Sequence, residues 1–247
     1  MNGARSSDAS FADYTRATPG GGFSDWLRTR AEPLWRRMVG HRFANDMASD
    51  ALPPDVWRRY LTYEHDFVEA AVAIFGYALV KAPSIVEQAR LAEILRGLTT
   101  DQLTYFDRVF DRLGVPEPAR SPRVLPPAVL AFREGMLGLA AHRSYEEIIG
   151  SMTAAEWMYH TWCQDAYTHR PQDAVVAEWI ALHVAQPFAD QVAWLRGQLD
   201  THGPALPPWR QERVALAFRR TLALEIDFHD APYGDAAPSG DVDMEGE

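Results

Sequence analysis

The chain has 247 residues, of which 47% are hydrophobic and 23% are charged, and its formal net charge is -10. This length fits one globular domain with a sizeable core, and the negative charge without a Lys/Arg stripe argues against nucleic-acid or anionic-membrane surfaces. Cys163 is the single cysteine, so no internal disulfide is possible, and no apolar stretch approaches the roughly 20 residues of a membrane span. No signal-peptide pattern opens the chain, so we expect a cytoplasmic protein with a small-molecule partner.

Both ends of the chain are predicted to be disordered. Residues 1–22 are rich in Ser, Ala and Gly and show no sustained apolar period, which indicates a mobile arm. Residues 234–247 are acidic and lack a hydrophobic face, which is typical of a solvated tail. We therefore expect the chemistry to lie in one helical domain over residues 23–233.

Between these ends almost every segment has helical period, and strand-like alternation is scarce. Pro and Gly cluster where helices should stop, and Ser144-Tyr-Glu-Glu147 matches a capping box. The sequence therefore predicts an all-α fold, a single-domain bundle of about seven helices. In chain order the predicted helices span 24–48, 54–80, 84–113, 126–141, 144–169, 172–200 and 207–229.

Two predicted helices each place an acid beside an aromatic residue. In the helix 54–80, Tyr63 and Phe67 lie one turn apart, and Glu64 shares a face with Phe67 at i, i+3. In the helix 144–169, Glu156 and Tyr159 have the same spacing. This combination suits a flat, polar heterocycle, because rings stack on Phe or Tyr while carboxylates bind amino and ring-nitrogen groups.

Glu156 and Glu225 each stand in an otherwise apolar helical stretch. An acid that folding removes from water must be hydrogen-bonded, paired or protonated, and such acids often belong to working sites. The apolar neighbours of Glu225 should desolvate it and raise its pKa toward a range that is useful for acid–base chemistry. The alternative is that both are structural acids, satisfied by Tyr159 or by backbone groups.

Several motifs resemble, in order and spacing, those of the TenA/thiaminase II family. The resemblance covers about residues 23–233 and implies the all-helical haem-oxygenase-like fold, hydrolysis of an aminopyrimidine in thiamin salvage, no cofactor, and a homo-oligomer, commonly a tetramer. The matching stretches are Leu34–Phe43, similar to the family's Trp and His-x-Phe opening, Tyr60–Phe67, similar to its Tyr-Leu-x-Gln-Asp-Tyr segment, and the blocks around Tyr159, Trp179 and Glu225.

The resemblance also indicates a branch of the family. The family's cysteine nucleophile lies four residues before its tyrosine, where this chain has Ala155. A second branch lacks that cysteine and carries a glutamate three residues before the tyrosine, which is the position of Glu156. This branch is linked to amino- or formylamino-pyrimidines, and the family's terminal catalytic glutamate corresponds to Glu225. We hypothesise that Glu225 donates a proton to the leaving amine while Glu156 orients or activates water.

Five residues are expected to bind the substrate: Glu64, Phe67, Tyr159, His183 and Tyr63. By the resemblance, Glu64 matches the family's substrate-binding aspartate but is one methylene longer. His183 stands where the family has an aromatic residue that faces the pyrimidine. Because both changes alter the binding surface, a TenA-like hydrolase with a different substrate is a second possibility.

Two other classes of function remain open. Related haem-oxygenase-like proteins bind two irons and oxidise small acids or amino acids, and Glu69 and Glu156 occupy places where such oxidases hold metal. The next acid–His pair would fall near Thr99 and Gln102, which are poor iron ligands, so we expect no metal. The other class is a non-catalytic ligand-binding or regulatory protein. Cys163 lies one turn beyond Tyr159 and is expected to be a packing residue.

Overall fold

A computed structural model of the protein describes residues 9–234. Within these residues the regular structure is helical and no strand is present, so the predicted all-α class is confirmed. The α-helices are α1 Phe11–Ala17, α2 Phe23–Arg30, α3 Glu32–Val39, α4 Arg42–Ala48, α5 Pro54–Lys81, α6 Ile85–Gly97, α7 Leu103–Arg112, α8 Glu117–Arg120, α9 Pro127–His142, α10 Tyr145–His169, α11 Ala174–Val184, α12 Gln186–His202 and α13 Pro208–Asp230.

The long helices α5, α10 and α13 organise the bundle. Helix α10 packs against α13, α12 and α11, while α5 packs against α9 and α6. Most residues of α10 are buried, because a helix with neighbours on several sides needs no polar face. Across residues 9–234, no helix is both long enough and apolar enough to cross a membrane.

Local signals fix several helix ends. The predicted capping box is confirmed: the Ser144 hydroxyl accepts a hydrogen bond from the Glu147 amide, and the Glu147 carboxylate accepts one from the Ser144 amide at 3.1 Å. Prolines occupy first-turn positions of α5, α9 and α13, where the missing N–H costs nothing. The carboxylate of Asp173 caps α11 by accepting from the amides of Val175 and Val176.

Several predicted helices are divided in the structure, so the predicted number of helices is wrong. The predicted helix 24–48 is broken at Ala31 and again at Gly40, after which the His41 ring caps α4 by accepting from the Phe43 amide. The predicted helix 84–113 contains a π-helical turn at Leu98–Gln102. The predicted helix 172–200 is interrupted at Ala185, which is extended. Apolar periodicity alone did not reveal these breaks, because the apolar residues continue across them.

Residues 9–22 do not form the disordered arm that composition predicted. Ser10 caps α1, and the Phe11 ring packs edge-on against Phe23 and Trp26 at 5.1 and 5.7 Å between ring centroids. The Trp26 indole donates to the Ala9 carbonyl at 2.9 Å. Phe11 and Tyr14, which are partly buried against the core, therefore order this segment. Residues 1–8 and 235–247, which include most of the predicted acidic tail, lie outside the described residues.

Gly203 provides a test of close packing between α2 and the turn after α12. A Cβ at this position would lie 2.2 Å from the ring of Phe23, which is fully buried and has no room to move. We expect Gly203→Ala to lower the free energy of unfolding by about 1–3 kcal/mol through overpacking. Gly197→Ala is the matched control, since Gly197 is exposed on α12 with open space around it, and it should stabilise by up to about 0.5–1 kcal/mol. Urea unfolding curves that coincide for the two variants would contradict this packing.

Candidate active site

A cavity of about 770 Å³ opens among helices α5, α6, α7 and α9 to α13. This volume is within the range of small-molecule sites. Both acids that the sequence singles out, Glu156 and Glu225, line this cavity together with Glu64. Its other acidic side chains are exposed and lie among three arginines; this polar part consists of Glu93, Asp101, Asp190, Arg90, Arg96 and Arg108. Its aromatic lining consists of Phe67, Phe75, Tyr105, Phe132, Tyr159, Trp179 and Phe188.

Glu64 is buried on α5 and is held by two phenols. The Tyr60 hydroxyl donates to Oε1 of Glu64 at 2.9 Å, and the Tyr159 hydroxyl donates to the same oxygen in a shorter hydrogen bond. The two phenol oxygens are themselves 2.9 Å apart. Burial raises the pKa of Glu64, while the two phenol hydrogen bonds oppose that rise by favouring the charged form. The result is an oriented acceptor on the cavity wall.

Glu225 is the most deeply buried acid of the cavity, with 1% of its surface exposed. Among the described residues, its Oε2 atom has no hydrogen-bond partner. Burial raises the pKa of Glu225 well above its ordinary value, and the nearby charges of Glu64 and Glu156 raise it further. Burial and the neighbouring acids therefore favour the protonated form of Glu225, which is the form that can donate a proton into the cavity.

Glu156 differs from Glu225 in its access to solvent. It lines the cavity from α10 and is partly exposed through the opening. Burial raises the pKa of Glu156 to about 8; a hydrogen bond from Gln191 opposes this rise and the charge of Glu64 adds to it. Glu156 therefore titrates near the physiological range, and we expect Glu225, which is more deeply buried, to keep its proton to higher pH.

His183 contributes a neutral ring to the cavity wall. Its Nδ1 donates to the Trp179 carbonyl at 2.8 Å, and burial lowers the pKa of His183 to about 4. The ring lies 4.2 Å from that of Trp179 and 5.5 Å from that of Tyr159, tilted 31° to the latter. Phe67 also lines the cavity and packs on Phe132 with 4.4 Å between centroids. Both residues line the same cavity as Glu64, Glu156 and Glu225.

Tyr63 does not lie in this cavity, which corrects its predicted place in the binding set. Its side chain lines a separate groove with Arg59 and Val115. Cavity-lining positions on α5 follow the i, i+3, i+4 stripe that begins at Glu64, and Tyr63 falls outside that stripe. Tyr60 was not among the predicted site residues, although its i, i+4 spacing to Glu64 was a usable signal.

The ligands of the di-iron alternative are not brought together. Glu69 is exposed and does not line the cavity with Glu156, because it lies five positions after Glu64 on another face of α5. Thr99 is exposed on the π-helical turn. Within residues 9–234 no group of three or more His, Cys, Asp or Glu side chains is arranged to hold a metal ion. Cys163 is buried outside the cavity, and burial raises the pKa of its thiol.

The helical bundle and its acidic, aromatic-lined cavity define the class of the protein: it is an all-helical protein with a small-molecule site. Residues 28–235 match the TENA/THI-4/PQQC family, and the chain belongs to that family. The resemblance inferred from the short motifs is therefore confirmed.

Relatives of known name cover most of the chain at low identity. The aminopyrimidine aminohydrolase of Halalkalibacterium halodurans is 20% identical over 221 residues, which span 86% of this chain and 96% of that protein. The aminopyrimidine aminohydrolase of Bacillus subtilis is 18% identical over 170 residues, which span 69% of this chain and 72% of that protein. Among solved structures, a TenA homologue from P. horikoshii OT3 matches with a TM-score of 0.80 at 17% identity, over 87% of this chain and 99% of that chain. At this identity the structural likeness shows the fold.

Proposed function

We propose that the protein is an aminopyrimidine hydrolase of the thiamin-salvage type, which hydrolytically removes the amine from amino- or formylamino-methylpyrimidines. The observation that carries this proposal is the convergence of Glu64, Glu156 and Glu225 from three helices on one aromatic-lined cavity. Two relatives that are named aminopyrimidine aminohydrolases support the same chemistry.

In this proposal, Glu64 binds the substrate as a carboxylate. Its oxygens accept hydrogen bonds from the amino group and from a protonated ring nitrogen of the pyrimidine, while Tyr60 and Tyr159 hold the carboxylate in place. Phe67 and the neutral His183 flank the ring on the cavity wall. Because His183 is polar, this wall favours a heterocycle over a purely apolar ring.

The two remaining acids carry the reaction. Glu225 protonates the amine nitrogen as the C–N bond breaks, so that the nitrogen leaves as ammonia. Glu156, in its carboxylate form, takes a proton from water while the water oxygen bonds to the methylene carbon. The product is the hydroxymethylpyrimidine, and the proton received by Glu156 balances the one given by Glu225.

Thiamin itself is not proposed as the main substrate. Displacement of its thiazolium would be assisted by a thiolate, and Ala155 occupies the position of the family's nucleophile. Cys163 does not replace it, because the thiol is buried away from the cavity and its pKa is raised.

A substrate panel tests the proposed function. We expect metal-stripped protein to release ammonia from aminomethylpyrimidines and to form the hydroxymethyl product, with the reaction followed by ammonia assay and mass spectrometry. Tight binding without turnover would favour a ligand-binding or regulatory protein instead. Oxygen consumption that requires added Fe(II) would favour the oxidase and contradict the hydrolase.

We also propose a homo-oligomer, with a tetramer as the expected form. Three apolar side chains near the junction of α5 and α6 are exposed, namely Val80 at 70%, Ile85 at 75% and Val86 at 73%. Exposed apolar groups of this kind are typical of surfaces that become buried by association.

A further inference from the structure

His229 is a buried histidine that the proposed reaction does not use. It is 0% exposed and lies one turn after Glu225 on α13. Its Nδ1 lies 2.7 Å from the main-chain oxygen of Glu225 and 3.5 Å from the Oε2 atom of the same residue. A ring nitrogen that faces a carbonyl oxygen must donate, so Nδ1 carries the hydrogen and Nε2 carries the lone pair.

Packing alone gives no reason for a histidine at this position. The ring is enclosed by Phe43, Tyr60 and Tyr159, with centroid distances of 5.2, 5.5 and 5.5 Å. Within the described part of the chain, Nε2 of His229 has no hydrogen-bond partner. A buried polar atom without a partner is costly, and an apolar ring of similar size would fill the same space without that cost. Burial and the nearby His41 lower the pKa of His229 to about 3, so the ring is neutral.

The Oε2 atom of Glu225, which lies beside the His229 ring, also has no hydrogen-bond partner among the described residues. When Glu225 gives up its proton, a carboxylate forms in a buried position that also faces Glu64 and Glu156. An anion formed there is strongly disfavoured unless a nearby donor bonds to it. The hydrogen on Nδ1 of His229 is such a donor, and it lies beside the atom that becomes charged.

We propose that His229 is a positioning residue that stabilises the Glu225 carboxylate formed during turnover, by moving its Nδ1–H hydrogen bond from the main-chain oxygen to Oε2. This inference rests on the proposed function, because it assigns the step that follows proton donation. The O–H bond of Glu225 breaks and an N–H bond forms on the leaving amine. The Nδ1 hydrogen stays on His229, so no additional proton is needed.

His229 does not act as a relay for protons. The histidine that could supply a proton is His41, with its ring 5.9 Å away. Both nitrogens of His41 are already engaged: Nδ1 accepts from the Phe43 amide at 3.2 Å, and Nε2 lies 3.2 Å from Asp230. The other titratable groups around Glu225 are Glu64 and Tyr60 on α5 and Glu156 and Tyr159 on α10. A hydrogen bond to Oε2 is therefore the interaction that His229 supplies.

Two variants separate this role from packing. His229→Phe keeps a ring but removes the donor, and we expect kcat to fall about 10- to 100-fold with KM little changed, by analogy with the groups that hydrogen-bond to metal ligands and orient them. Because the donor favours the charged form, its loss should also raise the pKa of Glu225 and move the alkaline limb of the kcat/KM profile to higher pH. His229→Asn keeps a donor near Nδ1 and should restore most of kcat and the normal profile.

A measurement on substrate-free protein keeps this inference separate from the proposed function. Infrared titration of the protonated Glu225 carboxyl band, assigned with Glu225→Gln, should give a higher pKa in His229→Phe than in the wild type or His229→Asn. If this shift occurs in a protein without hydrolase activity, the interaction stands and the proposed function fails. An unchanged Glu225 pKa in folded His229→Phe, or equal effects in both variants, would overturn the inference.

Discussion

Glu225→Gln is expected to lower kcat by about 10²- to 10⁴-fold, the usual contribution of one general acid. Glutamine has nearly the same shape as the protonated carboxyl group but has no proton to give to the leaving amine. Binding should change little, because Glu64 and the aromatic wall hold the ring. Steady-state kinetics on an aminomethylpyrimidine would therefore show a loss in kcat with KM close to the wild-type value.

Glu212→Gln is the matched control for this variant. Glu212 is on the same helix, is 48% exposed and pairs with Arg30 away from the cavity. It should retain full activity. Burial raises the pKa of Glu225 above its value in the unfolded chain. The free energy of unfolding therefore falls as the pH rises from the unfolded pKa toward the folded pKa, whereas glutamine does not titrate. Glu225→Gln should melt no lower than wild type at pH 8. Normal turnover by folded Glu225→Gln would remove its role as the acid.

Glu156→Gln should lower kcat/KM by a comparable factor of about 10²–10⁴ and change its pH dependence. The pKa of Glu156 is raised to about 8, and the base form is the carboxylate. Wild-type kcat/KM should therefore rise as pH approaches 8 and level off above it, until Glu225 loses its proton. The glutamine variant has no group that titrates at this position, so its residual activity should lack the rising limb.

Glu146→Gln provides a comparison on the same helix. Glu146 is in the first turn of α10, pairs with Arg210 at 2.9 Å and does not line the cavity. The rising limb should persist in this variant. A pH profile of Glu156→Gln that keeps the wild-type limb would show that another group, rather than Glu156, activates the water.

The sequence predicted much of the fold because helix formation depends on nearby residues. The apolar period and the capping box at Ser144 are local signals, and they correctly indicated an all-α chain. The desolvation of Glu225 was also predicted, because its neighbours along α13 are apolar. The breaks at Ala31 and Ala185 were not predicted, since the apolar residues continue across them.

The sequence by itself therefore determined the helical class, the family and the acids most worth testing. Tertiary structure decided that Glu64, Glu156 and Glu225 share one cavity and that Tyr60, rather than Tyr63, supports Glu64. It also placed His229 beside Oε2 of Glu225. The physical reason is that periodicity shows which residues share a face of one helix, whereas the packing of α5, α10 and α13 determines which faces meet and which pKa values are raised.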